Sequence, residues 1–258
     1  MSSFHGKFVW YELMTTDTHA AETFYRDVIG WGARDAGLPD RRYTMMTVGE
    51  APVCGLMELC DEARQMGARP GWIGYVAVED VDASAEQVVQ QGGAVYRAPS
   101  DIPGVGRFAI IADPQGAPIA LFRGSSAEPQ SQCTPPNAPG HGGWHELRAT
   151  DREAAFEFHS KLFGWTKAEP VDMGPMGIYQ LFAAGDQPIG GMMTKPEAQP
   201  APSWLFYFNV DGVDAAAGRV QAGGGQVTAG PHQVPGGGWI AHCLDPQGGR
   251  FALVGASR

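Results

Sequence analysis

The chain has 258 residues, enough for one large domain or two of ordinary size. Hydrophobic residues make up 43% and charged residues 18%, which describes a folded chain and excludes a disordered one. The formal net charge is −10 and no basic run interrupts it, so nucleic acid and anionic membrane are excluded as expected partners.

The first strand-like phrase is FVWYELMT, Phe8 to Thr15. A helix follows, with Asp17 or Thr18 as its N-cap and Gly30 as its C-cap. Its apolar positions Ala21, Phe24, Tyr25 and Val28 have helical spacing. Three strands are expected next, at Trp31–Asp35, Tyr43–Val48 and Pro52–Glu58. The order then restarts. WIGYVAV reads as a strand from Trp72, DASAEQVVQQGG as a helix ending in glycines, and AVYRAP, GRFAIIAD and PIALF as three more strands. The DPQG at Asp113 joins the last two as a hairpin turn, with proline second and glycine fourth.

The whole series then repeats. Trp10 recurs as Trp144, Gly30-Trp31 as Gly164-Trp165, WIGYVAVEDVDA as WLFYFNVDGVDA from Trp204, and DPQG at Asp245. Between the copies, Gly124 to Gly140 is rich in Pro, Ser and Gln and reads as a linker. The expected division is therefore a domain at 1–123, a linker at 124–140 and a second domain at 141–258, each domain made of two βαβββ modules.

The opening MSSFHGKFVW has neither a basic start nor an apolar core, so no secretory leader is expected, and no apolar run is long enough to cross a bilayer. The four cysteines, Cys54, Cys60, Cys133 and Cys243, form no CxxC pair and no disulfide framework. A cytoplasmic location is expected on that ground.

Taken in order, Asp17 through Gly30-Trp31, VEDVDASAEQVVQQGGAV and DPQGAPIALF, each with its second copy, resemble the vicinal-oxygen-chelate superfamily, also called glyoxalase/bleomycin-resistance/dioxygenase. The particular likeness is to its tandem, glyoxalase-like or hydroxylase-like members carrying W-x-E-L-x-T/A-T-D. The resemblance implies an α+β fold in which paired βαβββ modules curl into a half-barrel around a cavity, twice in this chain. It also implies a divalent ion held by His and Glu at strand positions, with open sites for substrate oxygens. Carried onto this sequence, those positions are Trp10, Ile73, Ala120 and Gly55 in the first copy, and Trp144, Leu205, Ala252 and Gly191 in the second. None has a metal-binding side chain. The expectation is no metal on that set. A divalent ion held by other ligands stays open. The seven histidines do not repeat between copies: His145 stands where the first copy has Tyr11, His159 where it has Tyr25, and His242 where it has Ile110.

Alternation along the strands sends Trp10, Glu12 and Met14 to the cavity side in the first copy, and Trp144, Glu146 and Arg148 in the second. Tyr11 and His145 are then expected to face the packed helix. The same cavity walls are expected to carry Tyr75 and Phe122, and Tyr207, Asn209 and Arg250. Tyr43 and Tyr179 are further candidates for the lining. This is an apolar, aromatic pocket with a few polar groups, the usual form of a small-molecule site. Glu12 and Glu146 are the candidate catalytic residues, as general bases. Holding a ligand amine, or ordering the sheet through hydrogen bonds, are the alternatives. The glycine runs PGVGR and PGGGW lead into strands, so they do not read as nucleotide loops.

Three functional readings follow, the third being a protein-interaction module with two decayed cavities. The first is a binding protein for a small organic molecule, as in the bleomycin-resistance branch, which sequesters a cationic drug without the metal ligands. The second is an enzyme with lyase, isomerase or hydroxylase-like chemistry. Whether the chain is an enzyme, and whether it is a monomer or a homodimer, the residues leave open.

Overall fold

A computed structural model describes residues 4–38, 41–65, 67–125 and 137–258. The linker expected at 124–140 and Cys133 fall largely or wholly outside these. The first copy runs β1 (Phe8–Thr15), α1 (Thr18–Ile29), β2 (Gly32–Asp35), β3 (Tyr43–Val48), β4 (Ala51–Glu58), a short α2 (Asp61–Gln65), β5 (Gly71–Ala77), α3 (Val81–Gln90), β6 (Ala94–Ile102), β7 (Gly106–Ala112) and β8 (Pro118–Gly124). The second runs β9 (Gly142–Ala149), α4 (Arg152–Phe163), β10 (Thr166–Asp172), a turn of 3-10 helix at Gly174–Met176, β11 (Ile178–Ala184), β12 (Gln187–Thr194), β13 (Ser203–Asn209), α5 (Val213–Ala222), β14 (Gln226–Gln233), β15 (Trp239–Leu244) and β16 (Arg250–Gly255). The expected strands and helices are present in order. Among the described residues, α2 and the 3-10 turn are the additions, and both are short.

Each copy forms one eight-stranded sheet, in the order β2-β3-β4-β1-β5-β8-β7-β6 and β10-β11-β12-β9-β13-β16-β15-β14. Strands β2/β3/β4, β6/β7/β8, β10/β11/β12 and β14/β15/β16 pair antiparallel in sequence order, while β1/β4, β5/β8, β9/β12 and β13/β16 pair in parallel. A parallel pair needs a long crossover, and a helix lies within each. The caps are those read from the sequence. Asp17 accepts from the Ala20 N–H at 2.9 Å, and Gly30 closes α1 at φ 88°, a conformation that favours glycine. Asp151 and Gly164 do the same for α4.

The compact units do not coincide with the copies. One unit is built mainly from Trp10–Ile73 and Leu205–Arg258, so it joins the first module of the chain to the last. The other joins β6 to β8 and α3 to His145–Trp204, the two middle modules.

In the first unit, strand faces pack through aromatic rings. Tyr11 meets the edges of Phe206 and Phe208, with centroids 5.6 and 5.8 Å away. Trp31 packs edge-on against Phe208 at 5.1 Å and donates its indole N–H to the Gly140 carbonyl at 2.7 Å. The rings that meet Tyr11 thus come from strand β13 of the other copy, a contact the sequence reading did not name. Alternation fixed the face but not what covers it. The Arg219 guanidinium of α5 donates to the Val28 carbonyl at 2.8 Å, placing a cation at the C-terminal end of α1.

In the second unit, His145 stacks on Phe8 at the start of β1, centroids 3.8 Å apart and planes 7° from parallel. Its Nδ1 lies 2.5 Å from the Ile189 carbonyl, and burial pushes the imidazole down to about 4, so it is neutral near pH 7. Trp165 stacks on Phe182 and donates to the Gly6 carbonyl at 2.6 Å. Both Trp31 and Trp165 are core residues.

Candidate functional site

Strand β1 points Trp10, Glu12 and Met14 away from the aromatic packing of Tyr11. Parallel pairing sets Glu12 in register with Gly55 of β4. Tyr43, from β3, lies over that glycine, where a Cβ on Gly55 would collide with its hydroxyl and ring. The Tyr43 hydroxyl accepts the Trp10 indole N–H at 3.1 Å and donates to the Glu12 carboxylate. Burial, and then the charge of Glu12, holds the Tyr43 phenol well above its ordinary range, so it stays protonated. Glu12 is 8% exposed. Trp10, Tyr43 and Glu12 thus form one hydrogen-bonded row of indole, phenol and carboxylate.

The second copy keeps the frame and changes the charge. Glu146 is in register with Gly191, and a Cβ on Gly191 would collide with the ring of Tyr179. Arg148, which stands where the first copy has Met14, bonds Glu146 through Nε at 2.6 Å. The carboxylate here carries its own counter-ion.

Trp144 packs on a buried patch of Leu205, Tyr207 and Ala252, bordered by Ile240 and Val254. Ala252 is in register with Tyr207 on one side and His242 on the other. Because alanine ends at Cβ, the Tyr207 hydroxyl reaches across it to His242 Nε2 at 2.9 Å. Residue reasoning missed this pair. Its signal was a histidine where the first copy has Ile110, on a strand next to the last one.

The remaining candidates divide. Tyr75 is buried with Phe108 and Phe122 near its ring, each at 6.2 Å, and Tyr75 and Ile110 flank Ala120 as Tyr207 and His242 flank Ala252. Asn209 gives an amide N–H to the His141 carbonyl at 3.1 Å, and its carboxamide lies where a Cβ on Gly143 would be. It binds the strand to the segment entering β9. Arg250 sits at the exposed first residue of β16, beside the turn.

The metal positions implied by the resemblance hold Trp, Ile, Leu, Ala and Gly, and tyrosine rings fill the space a longer residue at Gly55 or Gly191 would need. These residues do not fit the family's ion. Among the described residues no group of three or more His, Cys, Asp or Glu is arranged to hold another. No described helix is long and apolar enough to cross a membrane.

Comparison with known proteins agrees with the fold. CFP32 of Mycobacterium tuberculosis, provisionally named a glyoxylase, is 35% identical over 247 residues, covering 95% of this chain and 93% of that protein. The anthracycline biosynthesis protein DnrV of Streptomyces peucetius is 30% identical over 262 residues, covering 96% and 93%. Among solved structures, the Mn(II)-bound glyoxalase from Novosphingobium aromaticivorans superimposes with a TM-score of 0.68 at 16% identity, covering 98% of this chain and 83% of that one. The 2,3-dioxygenase LapB from Pseudomonas sp. KL28 does so at 0.67 and 13%, covering 100% and 94%. A family profile matches residues 7–121 and again 142–253, once on each eight-stranded sheet. The repeated βαβββ order, the two sheets and these matches make the chain a member of the glyoxalase/bleomycin resistance protein/dioxygenase superfamily.

Proposed function

We propose that this protein binds a flat, oxygen-bearing aromatic molecule and does so without the family's divalent ion. The observation that carries the reading is the tyrosine over each glycine: Tyr43 over Gly55 and Tyr179 over Gly191 stand where a metal ligand would project. What the same strands offer instead is indole, phenol and buried carboxylate, groups that stack on rings and bond hydroxyls. The similarity to DnrV, an anthracycline biosynthesis protein, supports an aromatic ligand of this kind. We place the protein in the cytoplasm, with a small molecule as its partner and neither nucleic acid nor membrane, as a monomer or a homodimer.

A second reading is proton-transfer chemistry with Glu12 as the base. The hydrogen bond from Tyr43 to Glu12 favours it, since a ligand hydroxyl that displaces the phenol meets the same carboxylate.

The test is a titration of tryptophan fluorescence with a dihydroxyanthraquinone, in the presence of a chelator, with metal content measured in parallel. Saturable quenching with the chelator present is expected. Gly55→Ala, which displaces Tyr43, is expected to weaken binding about tenfold or more, equivalent to about 1.4 kcal/mol. Roughly one divalent ion per chain, with binding lost on its removal, refutes the reading.

A further inference from the structure

The two copies share a frame, yet one row of residues differs in chemistry. In the first copy the row across β5, β8 and β7 is Tyr75, Ala120, Ile110. In the second, across β13, β16 and β15, it is Tyr207, Ala252, His242. The tyrosine and the alanine are kept, and a titratable ring replaces an aliphatic side chain. The replacement is not idle, because the Tyr207 hydroxyl and His242 Nε2 are 2.9 Å apart.

The row continues outward. On β14 the register slips between Ala229 and His232, so Ala229 lies opposite His242 and His232 opposite Ile240. Such a bulge re-aims the side chain beside it. Here it brings the His232 ring edge-on to His242, with centroids 6.2 Å apart. The first copy has the same slip between Arg97 and Ser100 of β6, where the corresponding side chain is Ser100. Burial falls along the row. Tyr207 is buried, His242 is half-buried and His232 is exposed. Three groups able to hold or pass a proton therefore run from the apolar patch under Trp144 to solvent.

We propose that Tyr207, His242 and His232 form a proton path that lets the second copy exchange a proton between a bound ligand oxygen and solvent. In the deprotonating direction, a ligand hydroxyl gives its proton to the Tyr207 oxygen, and the phenolic proton moves to His242 Nε2. The imidazolium then releases its Nδ1 proton to His232 or to water. The ligand gains one negative charge and solvent gains one proton. Tyr207 ends protonated and His242 ends neutral as its Nε2–H tautomer; uptake of a solvent proton at Nδ1 and loss of the Nε2 proton return it to the starting form. The reverse order protonates a ligand oxyanion. The substrate class is a phenol or enol, and the first copy, with Ile110 and Ser100 at the matching positions, has no such path.

The inference extends the proposed function, and its test needs no ligand, so the two fail separately. Protein carrying tyrosine labelled with 13C at Cζ is placed in equal volumes of H2O and D2O. A hydroxyl that exchanges slowly gives two Cζ lines, and one that exchanges fast gives a single averaged line. Tyr207→Phe identifies the signal. A single line is expected for Tyr207 in the unaltered protein. Two lines are expected in His242→Ile, which restores the first copy's residue, and slower exchange in His232→Ser. The 15N spectrum of the histidines is expected to place the His242 proton on Nδ1. Should His242→Ile fail to fold, as judged by its amide spectrum, His242→Gln replaces it. Two Tyr207 lines in the unaltered protein, or a single line that survives loss of His242, overturns the proposal. Unchanged exchange in His232→Ser overturns its outer step.

Discussion

His159→Tyr is expected to stabilise the protein. The argument comes from comparing the two units. In one, the Tyr25 hydroxyl accepts the Trp72 indole N–H at 2.9 Å and donates to Asp245 Oδ2 at 3.0 Å. The other oxygen of Asp245 accepts the N–H groups of Gln247 and Gly249. The second unit has His159 at the tyrosine's place, Trp204 at the tryptophan's and Asp113 at the aspartate's. Asp113 Oδ1 accepts from Gln115 and Ala117 as its counterpart does, but Asp113 Oδ2 and His159 Nε2 have no hydrogen-bond partner among the described residues. His159 is fully buried, and its one bond runs from Nδ1 to the Ala155 carbonyl at 2.8 Å. A phenol restores a bond to a buried carboxylate, which contributes about 1.5–3 kcal/mol, and gives up the Ala155 bond at about 1 kcal/mol. The net expectation is about 0.5–2 kcal/mol, or a rise in Tm of roughly 1–8 °C for a chain of this size. Urea and thermal unfolding followed by circular dichroism read it. The mirror variant Tyr25→Phe strands Asp245 Oδ2 and the Trp72 N–H and is expected to cost about 2–4 kcal/mol. An unchanged or lower midpoint in His159→Tyr, with Tyr25→Phe neutral, refutes the reasoning.

His145 gives a pH dependence. Its folded value of about 4 lies below its ordinary 6.5, so the unfolded chain binds the proton first as pH falls. Stability is full above about 6.5 and falls as pH drops towards about 4, by up to about 3 kcal/mol from this group. His145→Tyr, the first copy's residue, is expected to flatten that slope in unfolding curves taken across this range. His159, which burial also pushes down, contributes a slope of the same sign. Arg148→Met removes the cation bonded to the largely buried Glu146 and is expected to cost about 3 kcal/mol. Adding Glu146→Gln to it recovers most of the loss in a double-mutant cycle, whereas full additivity of the two changes speaks against the pair.

The elements were legible because their signals are local. Asp17 and Gly30 mark the ends of α1 with their own side chains and backbone, and the period of two in VWYEL separates Trp10 and Glu12 from Tyr11. What covers each face is not local. Tyr11 meets Phe206 and Phe208 across nearly the length of the chain, and alternation carries no address for a partner so distant. The site divides in the same way. Glu12 and Glu146 were found by periodicity, and the bond between Glu146 and Arg148 joins neighbours on one face of one strand. The pairing of Tyr207 with His242 passes over a third strand, so it depends on two registers at once. Arg250 has the parity of Ala252 but stands at the strand's first residue, and periodicity does not say where a strand leaves its sheet.

Each compact unit takes one module from either copy, and this has a consequence for inheritance. A duplication usually leaves a spare that is free to decay. Here neither half of the chain holds a complete core of its own, because Phe206 and Phe251 of one half fill the space around Tyr11 and Tyr25 of the other. The chain is in effect a dimer of two formerly identical subunits whose partners have been joined end to end. Its connecting segment replaces a dissociation constant with an effective concentration. Such an arrangement keeps both halves in place while releasing them from having to remain alike, and His145, His159, His242 and Arg148, which have no like residue at the matching first-half positions, are what that freedom allowed.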